Sequence, residues 1–235
     1  MATPREQARE RTMAEIVRLG REQLATTGPV DLSVRSIARD LGVVSSAIYR
    51  YVRTRDELLT LLVVDAYGEL ADRVDEAVSR RRRPQHTHAQ RLCASAHAVR
   101  DWALAEPARY GLLFGTPVPG YHAPGEETTP VGTRVPTLMT RLLAEAWADG
   151  SVGEVPEVRV PAALGRDLRA VRTQLGVEIP EWLLARGMLW WSSVFGAVSF
   201  EVFGQYGAGT FSDPRRLFDH HLDVLLGTVG LPPRR

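Results

Sequence analysis

Residues Ser33 to Tyr51 read Ser-Val-Arg-Ser-Ile-Ala-Arg-Asp-Leu-Gly-Val-Val-Ser-Ser-Ala-Ile-Tyr-Arg-Tyr, and this stretch decides the fold. Ser33 stands where a helix N-cap belongs, and Gly42 stands where the first helix needs a left-handed residue to end it. The stretch predicts two short helices joined by a tight turn, which is a helix-turn-helix whose second helix lies in the major groove of DNA. The apolar residues form two helical faces: Ile37, Ala38 and Leu41, then Ala47 and Ile48.

The residues that follow predict a long third helix. Thr54-Arg-Asp-Glu57 reads as a capping box, in which the Thr54 hydroxyl accepts from the Glu57 amide and the Glu57 carboxylate reaches back. The run Arg80 to Arg83, followed by Pro84, ends this helix and is better interpreted as a solvated helix end than as a nucleic-acid patch. Apolar residues keep helical spacing for about 25 residues, through Leu58, Leu59, Leu62, Val63, Ala66, Leu70, Val74 and Val78.

The series Gly42 to Leu59 resembles the N-terminal signature of the TetR family of bacterial transcriptional regulators, and the resemblance spans residues 5 to 70. It implies a three-helix DNA-binding domain. Apolar residues at helical spacing, from Met13 to Leu24, predict that the first helix runs from about Arg5 to Ala25. Val44 departs from the family, which usually has a Ser or Thr cap there, and a lost cap costs about 1 kcal/mol. Ser45 is the alternative cap. The agreement rests on Gly42, Val43, Ala47, Ile48, Tyr49, Tyr51, Arg55, Asp56 and Leu58.

Two sets of side chains are candidates for contact with DNA. We expect the first set to read base edges, and it consists of Ser45, Ser46, Tyr49 and Arg50. The second set would position phosphates, which fixes register without reading sequence, and it consists of Ser33, Arg35, Tyr51 and Arg55. Arg5, Arg9 and Arg11 of the first helix could also reach phosphates.

Composition is ordinary for a globular chain, with 44% hydrophobic and 24% charged residues in 235. The net charge of +1 carries little information, because a DNA reader needs only a local basic face. Cys93 is the single cysteine, which excludes an internal disulfide and favours a cytoplasmic location. The polar N-terminus is unlike a secretory signal, and Arg186 and Glu201 interrupt the longest apolar run, so we expect no membrane association.

The rest of the chain predicts further helices and no strands, so the expected fold class is all-α. We expect a helix-turn-helix domain at 1–55, a linking helix at 56–80, and a ligand-binding and dimerisation domain at 81–235. Two stretches, 115–130 and 152–161, lack an apolar period and are predicted loops. The predicted helical stretches are 87–104, 110–114, 135–147, 163–175, 181–206 and 214–229, the last opened by Asp213-Pro214.

The segment Glu181 to Tyr206 is apolar on more than one face, which predicts a helix buried on all sides. Residues 190–206 resemble the penultimate helix of a TetR subgroup with a WHG domain, although Phe195 replaces its His. The resemblance implies a homodimer that pairs the last two helices, about 181–206 and 214–229, as a four-helix bundle. Such a dimer sets two recognition helices roughly 34 to 36 Å apart and predicts a palindromic operator.

The resemblance also implies a ligand pocket in the second domain, although for any single aromatic residue there a place in the core is the favoured interpretation. We expect Glu201 to pair with Arg100 or Arg186 and not to contact the ligand. The candidate ligand-binding residues are His97, Trp102, Tyr110, Phe114, Met139, Trp147, Trp191, Ser192 and Phe195.

Catalysis has little support in this sequence. The histidine pairs 86/88 and 220/221 lack partners at zinc-ligand spacing, and we place them on an exposed linker and on the last helix's surface or dimer interface. There is no phosphate-binding glycine motif and no nucleophile with an evident base. We therefore predict a protein without cofactor or metal that is not an enzyme.

The sequence thus favours a repressor that binds an operator as a dimer and is released by a small, mainly apolar effector. An activator or an effector-independent regulator is the alternative. A less favoured alternative is a small-molecule binding or enzymatic module that carries a DNA-binding head.

Overall fold

The computed structural model describes residues 3–81 and 86–234, and every regular element within those ranges is an α-helix. The predicted all-α fold class is confirmed. Three residues of the predicted helix end, Arg82, Arg83 and Pro84, lie outside the described ranges. The helices are α1 Pro4–Thr27, α2 Val34–Asp40, α3 Ser45–Ile48, α4 Arg55–Ser79, α5 His88–Ala105, α6 Pro107–Phe114, α7 Gly125–Gly132, α8 Arg134–Ala148, α9 Ala162–Leu175, α10 Glu181–Val202 and α11 Pro214–Thr228.

The chain packs into two compact units. The first contains the described residues up to Glu69 together with Glu106–Gly132, and the second contains those of Leu70–Ala105 and from Thr133 onward. Helix α4 therefore belongs to the first unit in its first part and to the second unit in its last part. In the structure, α6 and α7 pack with the N-terminal helices, whereas the sequence predicted that they belong to the second domain. The functional domain boundaries stay a prediction.

The first unit is held by an apolar core and by a buried charge network. Arg109 of α6 is buried, and its Nη1 lies 2.7 Å from Glu69 Oε2 while its Nη2 lies 3.0 Å from Asp65 Oδ2. Arg21 of α1 also contacts Asp65, at 2.6 Å, so the network joins α1, α4 and α6. The core includes Ile16, Leu24, Ile37, Ile48, Val52, Leu58, Leu59 and Leu62, together with Val118 from the segment after α6.

The second unit is built on α5, α8 and α10, which pack against one another, with α9 and α11 against α10. Arg100 of α5 pairs with Glu201 of α10, its Nε lying 2.7 Å from Oε2. This is one of the two predicted pairings for Glu201, while Arg186 instead donates to backbone carbonyls. The buried apolar residues include Leu92, Ala96, Val99, Leu142, Leu143, Leu184, Trp190, Val194 and Leu222.

Two local predictions were wrong, and a third holds with one detail added. Residues Gly125–Gly132 are helical and not a loop, because the Glu127 and Thr128 amides both donate to the Pro124 carbonyl and open a helix despite Pro130. At the start of α4 the Glu57 amide donates to the Thr54 hydroxyl as predicted, and the Glu57 carboxylate reaches back to accept from the amide of Arg53, at 2.7 Å. Ser45 does not cap α3, because Val44 is the N-cap and contributes no side-chain hydrogen bond.

Helix α10 also differs from the expectation of burial on all sides. One of its faces is exposed in the single chain, since apolar side chains there are more than a third accessible to solvent. The sequence predicted that this helix pairs with a second subunit. Its exposed residues include Met188, Leu189, Trp191 and Phe200.

Candidate nucleic-acid interface and C-terminal cavities

The turn between α2 and α3 is fixed by its own hydrogen bonds. The Ser33 hydroxyl accepts from the Ser36 amide at 3.3 Å, which is the predicted N-cap of α2. Gly42 has a φ of 72°, which is the left-handed conformation that favours glycine. The Val43 amide donates to the Ala38 carbonyl at 3.0 Å and satisfies an acceptor at the end of α2. The chain therefore turns sharply and starts α3 at a defined angle.

Buried side chains fix the inner face of this helix pair. Ile37 of α2 and Ile48 of α3 are almost fully buried, and Val52 follows them into the same core as Leu58 and Leu59 of α4. Burying side chains of this size contributes roughly 1.5 to 3 kcal/mol each. The outer face of α3 is thus presented on a rigid support.

All four predicted base-reading residues lie on that outer face. Ser45 and Ser46 form the first turn of α3, Tyr49 is its C-terminal cap, and Arg50 lies in the turn beyond it. Each is exposed, while Ile48 between them points inward. The structure therefore brings these side chains together on one surface, and their contact with bases stays a prediction.

The predicted phosphate-positioning residues differ in how much of each side chain is exposed to solvent. Arg35 is exposed, whereas Ser33 and Tyr51 are half-buried. The guanidinium carbon of Arg9 lies over the Tyr51 ring, 5.9 Å from its centroid, which is a cation–π contact. The contact places a positive charge of α1 beside Tyr51, a predicted phosphate-positioning residue. The sequence predicted Arg9 only as one of three arginines of the first helix that could reach phosphates.

Arg55 has an internal role that the sequence did not show. Its side chain is half-buried, and its Nη2 donates to the Pro29 carbonyl at 2.8 Å. Its Nη1 lies 3.5 Å from Asp56. Arg55 thereby ties the start of α4 to the turn after α1, so its replacement would disturb the first unit as well as any phosphate contact.

The nine predicted ligand-binding residues are divided between the two units, and their role in ligand binding stays a prediction. Tyr110 and Phe114 belong to the first unit, where their rings lie 5.0 Å apart and Phe114 meets Tyr67. The other seven belong to the second unit. Trp102, Met139 and Phe195 are buried there, Trp191 is 36% exposed with its ring 5.6 Å from that of Phe195, and exposed Ser192 donates to the Leu189 carbonyl.

His97 is held in a polar cluster between α5 and α11. Its Nε2 lies 3.0 Å from Asp219 Oδ1 and 3.2 Å from Arg234 Nη1. Burial lowers the pKa of His97, and the nearby Arg215 and Arg234 act in the same direction, although Asp219 opposes them. Arg234 also contacts Asp223 at 3.0 Å, so these charges fasten the end of the chain to α11.

His88 and Cys93 both lie on α5. His88 is half-buried at the start of α5 with its Nε2 2.6 Å from Asp149 Oδ2, so the prediction of an exposed linker was wrong for it. Cys93 is buried, which raises the pKa of its thiol to about 12. In the described ranges no group of three or more His, Cys, Asp or Glu residues is arranged to hold a metal ion.

Three of the cavities on the described residues are each lined by residues of a single unit. One of about 370 Å³ lies in the first unit beside Tyr51 and Tyr121. The other two lie in the second unit, with volumes of about 680 Å³ and about 510 Å³. Trp147, which is 42% exposed, lines the larger of these and is the one predicted ligand residue that borders any of the three.

Within residues 3–81 and 86–234, no helix combines the length and the apolar character needed to cross a bilayer.

Comparison with known proteins gives consistent matches. Residues 92–225 match the family model described as "Tetracyclin repressor-like, C-terminal domain". HTH-type transcriptional regulators of Mycobacterium bovis and Mycobacterium tuberculosis are 45% identical over 226 residues, covering 96% of this chain and 95% of theirs.

Solved structures agree with these matches. The crystal structure of a protein assigned a regulatory role is similar with a TM-score of 0.76 and 36% identity, covering 96% of this chain and all of that one. A bacterial regulatory protein of the tetR family from Rhodococcus is similar in fold, with a TM-score of 0.59 and 16% identity over 93% of this chain and 97% of that one.

Proposed function

The chain belongs to the TetR family of transcriptional regulators, and from this premise we propose that it is a homodimeric repressor of a palindromic operator, released by a small effector. The observation that carries the proposal is the exposed surface of α3, where Ser45, Ser46, Tyr49 and Arg50 stand together over a buried core. Serine, tyrosine and arginine can donate to base edges in the major groove, and arginine does so in bidentate fashion to guanine.

Phosphate contacts complete the proposed interface. Arg35 is exposed at the start of α2, and no carboxylate among the described residues lies within salt-bridge distance of it. The Ser33 hydroxyl already accepts from the Ser36 amide, so its proton stays available to a phosphate oxygen. Such contacts would set the register of α3 on the duplex and make affinity depend on salt.

The exposed face of α10 supports the proposed dimer. Met188, Leu189, Trp191 and Phe200 on α10, with Val224 on α11, leave an apolar surface that a monomer would expose to water. Patches of this kind mark interaction sites in soluble proteins. An isologous pair would bury the patch of each subunit against the other and place two α3 helices on successive half-sites.

Helix α4 is the element that would couple effector and operator. It begins in the first unit next to the helix-turn-helix and ends in the second unit. A ligand that shifts the last part of α4 would change the spacing of the two half-sites. A coupling of about 1 to 3 kcal/mol is typical of such regulators and would lower operator affinity roughly 5- to 150-fold.

The test is fluorescence-anisotropy binding to the DNA that flanks the protein's own gene, measured at several salt concentrations and against random duplex. We expect tight binding with a preference of about 1,000-fold or more over random DNA. Weak binding that is wholly salt-driven and shows no preference would contradict the proposal. Transcription from the same DNA in vitro then separates a repressor, which lowers transcript yield, from an activator, which raises it.

A further inference from the structure

The cavity of about 680 Å³ in the second unit has the size of a small-molecule site. Its walls come from the end of α8, the start of α10 and the extended segment 152–160 between α8 and α9. Two tryptophans border it, Trp147 and Trp182, whose rings meet edge to face with centroids 5.9 Å apart. Of the candidate ligand-binding residues predicted from the sequence, Trp147 alone is among the residues that line this cavity.

The segment that forms one wall is held at two points. The Gly153 amide donates to the Gly230 carbonyl at 2.8 Å. Gly230 has a φ of 74°, and a Cβ there would lie 2.7 Å from the Gly153 carbonyl oxygen, so the approach requires glycine. Arg186 of α10 secures the second point through a hydrogen bond to the Pro156 carbonyl. The cavity wall is therefore anchored although its residues form no helix.

Two arginines line the cavity, and Arg186 is the half-buried one, whereas Arg159 is exposed. Its guanidinium donates to the carbonyls of Thr228, at 2.7 Å, and Pro156, and its carbon lies 5.3 Å from the centroid of the Trp182 ring. The side chain is half-buried, and no carboxylate of the described residues lies within 4.0 Å of it. Two hydrogen bonds leave part of its set of five N–H donors for another acceptor.

The acidic residues at this cavity do not neutralise Arg186. Glu181 already pairs with Arg169, at 3.2 Å. Glu154 and Glu157 are exposed, where water and salt screen their charges. A half-buried guanidinium stacked on an aromatic ring and lacking a counterion binds a carboxylate well, because the charge-assisted bond forms in a site partly shielded from water.

We propose that this cavity is the effector site and that it takes an aromatic carboxylate, with its ring system against Trp147 and its carboxylate on Arg186. The role as effector site rests on the proposed function, whereas binding to the cavity can be measured without DNA. The ligand class follows from the flat aromatic walls and the single half-buried positive charge without a carboxylate partner.

The test uses the full chain and three probes with the same ring system: 2-naphthoate, neutral 2-naphthol and 2-naphthylmethylammonium. Binding is followed by calorimetry and by tryptophan fluorescence. We expect a Kd on the order of 100 µM for 2-naphthoate, which is ordinary for a ligand of this size. Both other probes should bind at least about tenfold more weakly, because neither gives Arg186 a charged acceptor.

Two variants locate the binding. Trp147→Ala removes the aromatic wall and should weaken 2-naphthoate at least about tenfold. Val158→Glu puts a carboxylate next to Arg186, since both residues line this cavity and the neighbouring one. Val158 is 69% exposed, so the substitution leaves the core intact, and we again expect at least about a tenfold loss.

The matched controls are Phe211→Ala and Val30→Glu. Phe211 is an exposed aromatic residue of the second unit that does not line the cavity, and Val30 is 59% exposed in the first unit. Both should bind 2-naphthoate as the unaltered chain does. No binding of 2-naphthoate by either method, equal binding of 2-naphthol, or a loss in Phe211→Ala with none in Trp147→Ala would overturn the site.

Adding operator DNA separates this inference from the proposed function. If 2-naphthoate binds through Trp147 and also releases the operator, the effector site is supported. Binding without release would overturn the effector role of the cavity while operator recognition stands. If the protein shows no preference for the DNA that flanks its own gene, the proposed function is contradicted, and with it the effector role. The comparison of the three probes would still decide whether the cavity binds a carboxylate.

Discussion

The buried ion pair between Arg100 and Glu201 affects the stability of the second unit. Their side chains are 8% and 13% exposed, and two of their hydrogen bonds join α5 to α10. Desolvation makes such a pair costly to form, but removing one partner is more costly because it leaves the other charge buried and alone. The pair therefore sets the registration of these helices, since any slip would separate the charges.

Glu201→Gln should lower the free energy of unfolding by roughly 3 kcal/mol, because it leaves the buried Arg100 guanidinium with no carboxylate nearer than that of Asp101, at 3.7 Å. Glu22→Gln is the matched control, since Glu22 pairs with Arg18 on the surface and its loss should cost less than about 1 kcal/mol. Urea unfolding measures both. Equal changes in the two variants would show that the buried pair contributes no more than an exposed one.

Cys93 allows a second test at the same scale. Burial raises the pKa of its thiol from 9.0 to about 12, so the native thiolate fraction at pH 8 is about 1,000-fold smaller than in the unfolded chain. Because only the thiolate reacts, we expect alkylation by iodoacetamide to be slowed at least that much in the native protein and to become fast in denaturant. Similar rates in both states would mean that the thiol is accessible.

Among the elements, α3 has the weakest local support. It is four residues long, and its N-cap, Val44, offers no side-chain acceptor to the free amides of the first turn. The helix is held by the burial of Ile48 instead. Its stability therefore comes from the core behind it and little from the helix itself.

Val44→Ser should stabilise the protein by about 1 kcal/mol, because a serine hydroxyl can accept from an amide of the first turn. Val44 is 72% exposed, so the substitution removes little buried apolar surface. Val43→Ser, one residue earlier, serves as control and should give no gain. The midpoint of urea unfolding reports the difference, and a gain of the same size in both variants would speak against capping.

The sequence predicts those helix ends that are marked by local signals. Ser33, Gly42 and Asp213-Pro214 mark helix ends through contacts within a few residues, and the structure has those ends. The sequence does not predict elements whose conformation depends on tertiary packing. Helix α7 contains Pro130 and shows no apolar period, and its place beside Tyr67 depends on residues far away in the chain.

The candidate sites divide in the same way. The outer face of α3 follows from the spacing of Ile48 and its neighbours, because a helical period determines which residues point inward. No helical period predicts how the candidate ligand-binding residues pack, such as the contacts of Phe114 with Tyr110 and with Tyr67 of α4 in the first unit. Their role in ligand binding stays a prediction. Arg186 could be named as a charge in an apolar helix, but its lack of a carboxylate partner is visible only in three dimensions.

For the whole molecule, the proposed division of DNA-binding residues makes a prediction about salt. Arg35→Ala should weaken specific and random DNA alike and reduce the salt slope by about 0.9 for each phosphate that the variant no longer neutralises. Tyr49→Ala should reduce operator affinity by about tenfold or more while leaving random DNA unchanged. Anisotropy titrations over a range of salt concentrations measure both. The division fails if each variant affects both kinds of DNA equally.

The proposed dimer makes a second prediction at this scale. Leu189→Glu places a carboxylate in the exposed apolar face of α10, so we expect dissociation to monomers, because an unpaired charge buried at an interface costs several kcal/mol. Val30→Glu is the matched control and should leave the assembly unchanged. Sedimentation measures the mass of each variant, and an unaltered dimer for Leu189→Glu would place the interface elsewhere.

The first unit is formed by two separate stretches of the chain, which affects both its folding during synthesis and the design of hybrid proteins. During translation, the core around Ile37 and Leu58 lacks Val118 until α6 and the segment after it have emerged. An N-terminal fragment that ends after α4 would likewise leave Asp65 and Glu69 without Arg109. A hybrid regulator that keeps this DNA-reading unit therefore needs three junctions, at 69/70, 105/106 and 132/133, instead of one cut in α4.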